Sequence, residues 1–78
     1  TIQLSPNPVK DVIFINSLLK EPKSVSYMVY SMNGQLVKNG SITLNNRESI
    51  SVSDLAAGVY EIKFNVNQSS STFKFVKD

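Results

Sequence analysis

Proton transfer, nucleophilic attack and metal binding each need particular side chains, and this 78-residue chain carries few of them, with His 0 and Cys 0. Without histidine there is no Ser-His-acid or Cys-His triad. Without both residues there is no zinc site of the Cys/His kind and no disulfide framework. The general-base candidates left are Asp11, Glu21, Glu48, Asp54, Glu61, Asp78 and a lysine of lowered pKa. No two of these carboxylates stand at a spacing that forces them together, and no P-loop, G-x-G-x-x-G or G-x-S-x-G is present. Composition alone leaves a Ser-Lys dyad open, but a core this small rarely also shelters a cleft. The chain is therefore read as not an enzyme.

Binding chemistry is equally sparse. Asp54 with Glu48 offers two carboxylates where calcium takes about six to eight oxygens. No metal and no cofactor is expected, and Asp54 reads instead as a cap accepting N–H bonds from the Leu55–Gly58 turn. Tyr27, Tyr30 and Tyr60 are candidates for a sugar-stacking platform, although core packing with the hydroxyl on a polar partner suits Tyr60 better. Lys10, Lys20, Lys23, Lys38, Arg47, Lys63, Lys74 and Lys77 are scattered rather than clustered, so the net charge of +2 implies no nucleic-acid partner. The longest apolar run, Val12-Ile13-Phe14-Ile15, is far short of a membrane span, and no membrane insertion is expected.

The elements that position these residues are strands. Val25, Tyr27 and Val29 share one face, Ile50 and Val52 alternate with serines, and Tyr60, Ile62, Phe64 and Val66 alternate with Glu61, Lys63 and Asn65. Phe73 and Phe75 form another such face. Helical spacing appears only over Asn16–Lys20, too short to stand alone. About seven short strands follow, near 2–4, 11–16, 24–31, 35–39, 48–53, 59–66 and 71–77, with 41–44 extending or bending the fourth.

Punctuation supports that division. Asn33-Gly34 suits a type I′ hairpin turn, Asn39-Gly40 a break, bulge or loop, and Ala57-Gly58 a tight entry into the next strand. Gln68-Ser69-Ser70-Ser71 reads as a polar connector, and Pro6-Asn7-Pro8 ends the first strand. The strand 11–16 is apolar on both faces and is expected to be central or covered on both sides. Lys10, Lys38, Lys74 and Lys77 are placed at strand edges, where charge opposes aggregation. The fold class expected is all-β, a two-sheet antiparallel sandwich.

Four segments together resemble a known family. Leu4-Ser5-Pro6-Asn7-Pro8-Val9-Lys10-Asp11 resembles the "YPNP" opening of the type IX secretion system C-terminal sorting domains of Bacteroidetes. Tyr30 to Val37 resembles that family's central glycine turn, Leu55-Ala56-Ala57-Gly58-Val59-Tyr60 its L-x-x-G-x-Y motif, and Lys74-Phe75-Val76-Lys77 its terminal K-f-v-k. PNP alone is weak evidence, whereas the ordered set from Leu4 to Asp78 is specific. The family often has an acid where Ser31 stands and Arg or Lys where Gln35 stands, so the turn at Gly34 carries over without an ion pair.

The resemblance implies an immunoglobulin-like seven-stranded antiparallel sandwich over residues 1–78, a single domain at the tail of a larger secreted precursor. There is no signal peptide and no initiator Met at Thr1, which fits that expectation. It implies a passenger N-terminal to the domain, partners in the type IX translocon and a surface sortase, transit of the periplasm and outer membrane, and a secreted or cell-surface destination. Recognition is expected at Lys74, Phe75, Val76 and Lys77 and at the rigid Pro6-Asn7-Pro8 loop. Gly34, Leu55, Gly58 and Tyr60 are expected to be structural. The competing reading is a fibronectin-type or carbohydrate-binding accessory module of a secreted enzyme.

Overall fold

A computed structural model describes residues 3–5, 9–17, 21–66 and 68–78. They form seven strands: β1 (Gln3–Ser5), β2 (Val12–Asn16), β3 (Lys23–Ser31), β4 (Leu36–Leu44), β5 (Arg47–Ser51), β6 (Gly58–Val66) and β7 (Ser69–Lys77). Two antiparallel sheets result, ordered β1-β2-β5 and β4-β3-β6-β7. The connections β2–β3, β4–β5 and β5–β6 each cross between sheets, giving the immunoglobulin-like sandwich. Among the described residues no helix is long and apolar enough to cross a membrane.

The period-two pattern explains the packing. Ile13 and Ile15 from β2, Ile50 from β5 and Val52 just beyond it face Val25, Val29, Ile62, Phe64 and Phe75 from the other sheet, all buried. Each residue on these inner faces removes apolar surface from water at about 25 cal/mol per Å2, and that burial holds the sheets together. Leu4, Ile42, Leu55, Val66 and Phe73 pack around the margin, half-buried.

β2 is indeed central in its sheet, paired with β1 and β5. Its outer side chains Val12 and Phe14 are half-buried, and the Arg47 guanidinium lies 4.2 Å from the Phe14 ring centroid. That cation–π contact covers apolar surface that the sheet leaves facing water.

Three turn readings change. The β3–β4 connection is not a two-residue type I′ turn on Asn33-Gly34. Its β-turn spans Ser31–Gly34, closed by the Gly34 N–H on the Ser31 carbonyl at 2.9 Å, with Met32 and Asn33 central. Gly34 follows at φ 84°, a left-handed conformation that restores the strand direction, and Ser31 N–H bonds the Gln35 carbonyl at 2.9 Å. A bulge then skips Val37, since Val29 pairs with Lys38 and Tyr30 with Leu36.

Asn39-Gly40, expected as a break, bulge or loop, lies inside β4, which runs unbroken through Leu44. Gly40 stands opposite Tyr27, and a Cβ there would meet the Tyr27 Oη at 2.8 Å. The glycine leaves room for the ring to lie across the edge strand. Similarly, Ser69, Ser70 and Ser71 are not a connector but belong to β7, paired with Val66, Asn65 and Phe64.

Candidate recognition surface

The terminal strand carries the motif Lys74-Phe75-Val76-Lys77, and its pleat sends the four side chains to opposite sides. Phe75 faces inward at 1% exposure and stacks on Tyr60, directly opposite it on β6, with ring centroids 5.5 Å apart. Lys77, two residues on, shares that inner face and is 9% exposed, its Nζ donating to the Asp78 carbonyl at 3.2 Å. Lys74 and Val76 point outward and are exposed. The two lysines therefore do not share a surface. Of the two, only Lys74 offers its charge to a partner.

The end of this strand is also clamped. Val9, 1% exposed, forms a parallel bridge to Lys77 on the outer edge of β7. Its N–H donates to the Val76 carbonyl and its carbonyl accepts from the Asp78 N–H, both at 2.7 Å. Further back along β7, no described strand pairs with that outer edge. Amide and carbonyl of one residue point the same way, so Ser70, Thr72 and Lys74 present theirs outward, in step with Val76 and Asp78.

The L-x-x-G-x-Y segment has a structural explanation. Tyr60 is buried with its hydroxyl donating to the Ala56 carbonyl at 2.7 Å, four residues upstream. This is a tyrosine corner, which ties the crossing between sheets to the first turn of β6. One such hydrogen bond contributes about 1 kcal/mol. Leu55 packs on the core margin and donates its N–H to the Val52 carbonyl at 3.0 Å. Gly58 opens β6, where a Cβ would meet only the Tyr60 ring at 3.9 Å, an ordinary contact. Gly34 meets nothing within 4 Å, so its role lies in its φ angle alone.

Other candidates fall elsewhere. Pro6-Asn7-Pro8 lies outside the described residues. Asp54 does not cap its turn; its Oδ2 reaches the Lys38 Nζ at 3.6 Å. Tyr27 and Tyr60 are buried on the inner face while Tyr30 is half-buried on the outer one, donating to the Met28 Sδ at 3.3 Å, so the three form no platform. Lys10 sits, exposed, in a bend between the Val9 bridge on the β7 edge and the central strand β2. An open groove of about 420 Å3 runs beside Gly40, lined by serines, Asn39, Met28 and Tyr27, and brings no acid or base together. Among the described residues no three His, Cys, Asp or Glu side chains cluster in a way that would hold a metal.

Sequence reading missed the Val9 clamp, the Tyr27–Gly40 fit and the Lys38–Asp54 pair. The L-x-x-G-x-Y spacing was the one signal able to reveal the tyrosine corner in advance.

The family described as the secretion system C-terminal sorting domain matches residues 3–78. The chain belongs to that family. Its members are sorting signals of type IX secretion, not catalysts, and membership implies export to the cell surface or beyond. It also implies an N-terminal passenger and contact with the type IX machinery. A comparison with curated proteins finds no match. In the sorting domain described here, the L-x-x-G-x-Y residues are spent on folding, and K-f-v-k is divided between core and surface.

Proposed function

We propose that this chain is a single sorting domain at the tail of a secreted precursor, read as a folded surface by the outer-membrane translocon after the passenger has crossed the inner membrane. A cell-surface sortase then removes the domain. The observation carrying this reading is the family match over residues 3–78. The chemistry of cleavage belongs to the sortase, in keeping with a chain that lacks His and Cys.

Within that reading, Lys74 and the adjoining edge of β7 are the recognition elements on the terminal strand. Lys74 is exposed, and among the described residues no strand pairs with the outer side of β7 at Ser70, Thr72 and Lys74, where an incoming strand would gain main-chain hydrogen bonds and a charge contact together. Lys77 and Phe75 act on recognition indirectly, by holding the strand in place.

The test fuses residues 1–78 to a periplasmic reporter in a host that has this secretion system. Lys74→Ala is expected to reduce export with an unchanged melting temperature, whereas Lys77→Ala is expected to lower the melting temperature. Full export by a chain lacking residues 74–78 overturns terminal-strand recognition.

A further inference from the structure

Three of the segments that carry the family resemblance each contain an apolar residue that the core does not use. They are Met32 in the glycine turn, Val59 in L-x-x-G-x-Y and Val76 in K-f-v-k. Their neighbours in each segment explain the fold: Gly34 makes the turn, and Tyr60 and Phe75 stack in the core. The side chains of Met32, Val59 and Val76 point to water instead, and they gather at one end of the sheet.

Val59 and Val76 are direct cross-strand partners on the outer face of the four-stranded sheet, 37% and 40% exposed. Met32, 56% exposed, is central in the turn that follows the Ser31–Tyr60 pair, so it lies at the same end of the sheet as Val59. Leu36, 46% exposed, faces Tyr30 in the next row, where Tyr30 also neighbours Glu61 and Glu61 neighbours Lys74. Among the described residues the exposed large apolar side chains are Met32, Leu36, Val37, Val59 and Val76, and all five lie at this one end. Scattered singly they would need no explanation; gathered in one place they mark a surface with a use.

Charge and area choose the occupant. Glu61 is exposed between Lys74 and the half-buried Lys63, and none of the three has an ion pair among the described residues. A border of both signs suits a protein partner, whereas an anionic lipid surface favours cations alone. The five side chains expose on the order of 400 Å2 together, about half of what one side of a stable protein interface buries. A second copy docked through this row alone would be held weakly. The row fits better as the apolar centre of a larger partner's footprint, with the charges as its rim.

We propose that the row Met32–Val59–Val76, extended by Leu36 and bordered by Lys74 and Glu61, is the docking surface for an export-machinery protein. That protein presents apolar side chains ringed by charges of both signs. This rests on the sorting-domain reading above and assigns to the side chains of the sheet face a contact separate from the β7 edge. Because the row is built from three segments distant in sequence, it exists only in the folded domain, and an unfolded passenger tail does not display it.

The experiment uses the same reporter fusion with three variants: Met32→Ser with Val59→Thr, Leu36→Ser alone, and deletion of residues 1–78. Threonine keeps the strand preference at position 59, so the melting temperature and far-ultraviolet circular dichroism are expected to stay unchanged. Export is expected to fall about tenfold for the double variant and less for Leu36→Ser, as when an interface anchor is lost. Should the double variant disturb folding, Leu36→Ser alone decides, and wild-type export by it overturns the proposal. Wild-type export by a folded double variant also overturns the docking surface while leaving the sorting reading intact. If deletion of the whole domain leaves export unchanged, the sorting reading itself fails. Co-sedimentation of the purified chain with phosphatidylglycerol–phosphatidylcholine vesicles, abolished in the double variant, would make the row a lipid contact and overturn the protein partner.

Discussion

The four-stranded sheet has two edges, and they are closed by different means. The β7 edge is closed by backbone: Val9 supplies a donor and an acceptor beside Lys77 and buries its side chain. The β4 edge is closed by side chains. A bulge at Val37 breaks its ladder, Lys38 turns inward to Asp54, and Gly40 admits the Tyr27 ring. Backbone closure is local and leaves Ser70, Thr72 and Lys74 without a strand partner on that side among the described residues, whereas side-chain closure is spread along β4. An edge kept open over a defined stretch is one that a partner can use, and an edge blunted throughout is one that aggregation cannot.

Val9→Ala strikes the β7 closure and has the largest expected effect. Losing two buried methyl groups costs about 2 kcal/mol, a large share of the roughly 8 kcal/mol a chain of this length commands. Urea unfolding measures the loss, and hydrogen exchange should show the Asp78 amide losing protection. A stability change below about 0.5 kcal/mol would mean that the clamp is incidental.

Gly40→Ala tests the β4 closure. The new Cβ would sit 2.8 Å from the Tyr27 Oη, and displacing a buried ring costs about 1–2 kcal/mol. The substitution otherwise favours a strand, so a gain in stability would show that the ring yields freely.

The smallest expected effect on stability is that of Lys38→Ala. Its exposed ion-pair partner makes the loss about 0.5 kcal/mol or less. Light scattering at raised concentration should nevertheless show faster association, because the inward charge that blunts β4 is gone. Unchanged scattering would leave the bulge as the sufficient guard of that edge.

Much of the fold was visible beforehand because alternation has a single physical meaning. Tyr60, Ile62 and Phe64 had to share a face, and only one face of each sheet escapes water. Alternation does not, however, say which residues a turn consumes. Gly40 resembled a break because glycine disfavours strands, and only the ring of Tyr27 across the pair explains it. Ser69–Ser71 resembled a connector because serine is polar, yet exposed strand positions at the outer edge accept it. The residues expected to serve recognition form one string in the sequence, and the pleat divides them, with Phe75 and Lys77 inward and Lys74 and Val76 outward.

By itself, the sequence determined the class of the fold, the family and the lack of His- or Cys-based chemistry, because composition and period-two spacing are local properties that survive without coordinates. Only the tertiary structure decided which face each motif residue serves. The clamp of Val9 on β7, the inward turn of Lys38 and the convergence of Met32, Val59 and Val76 all join residues far apart in the chain. Such meetings follow from strand order and register, which are settled by how two sheets bury one shared core.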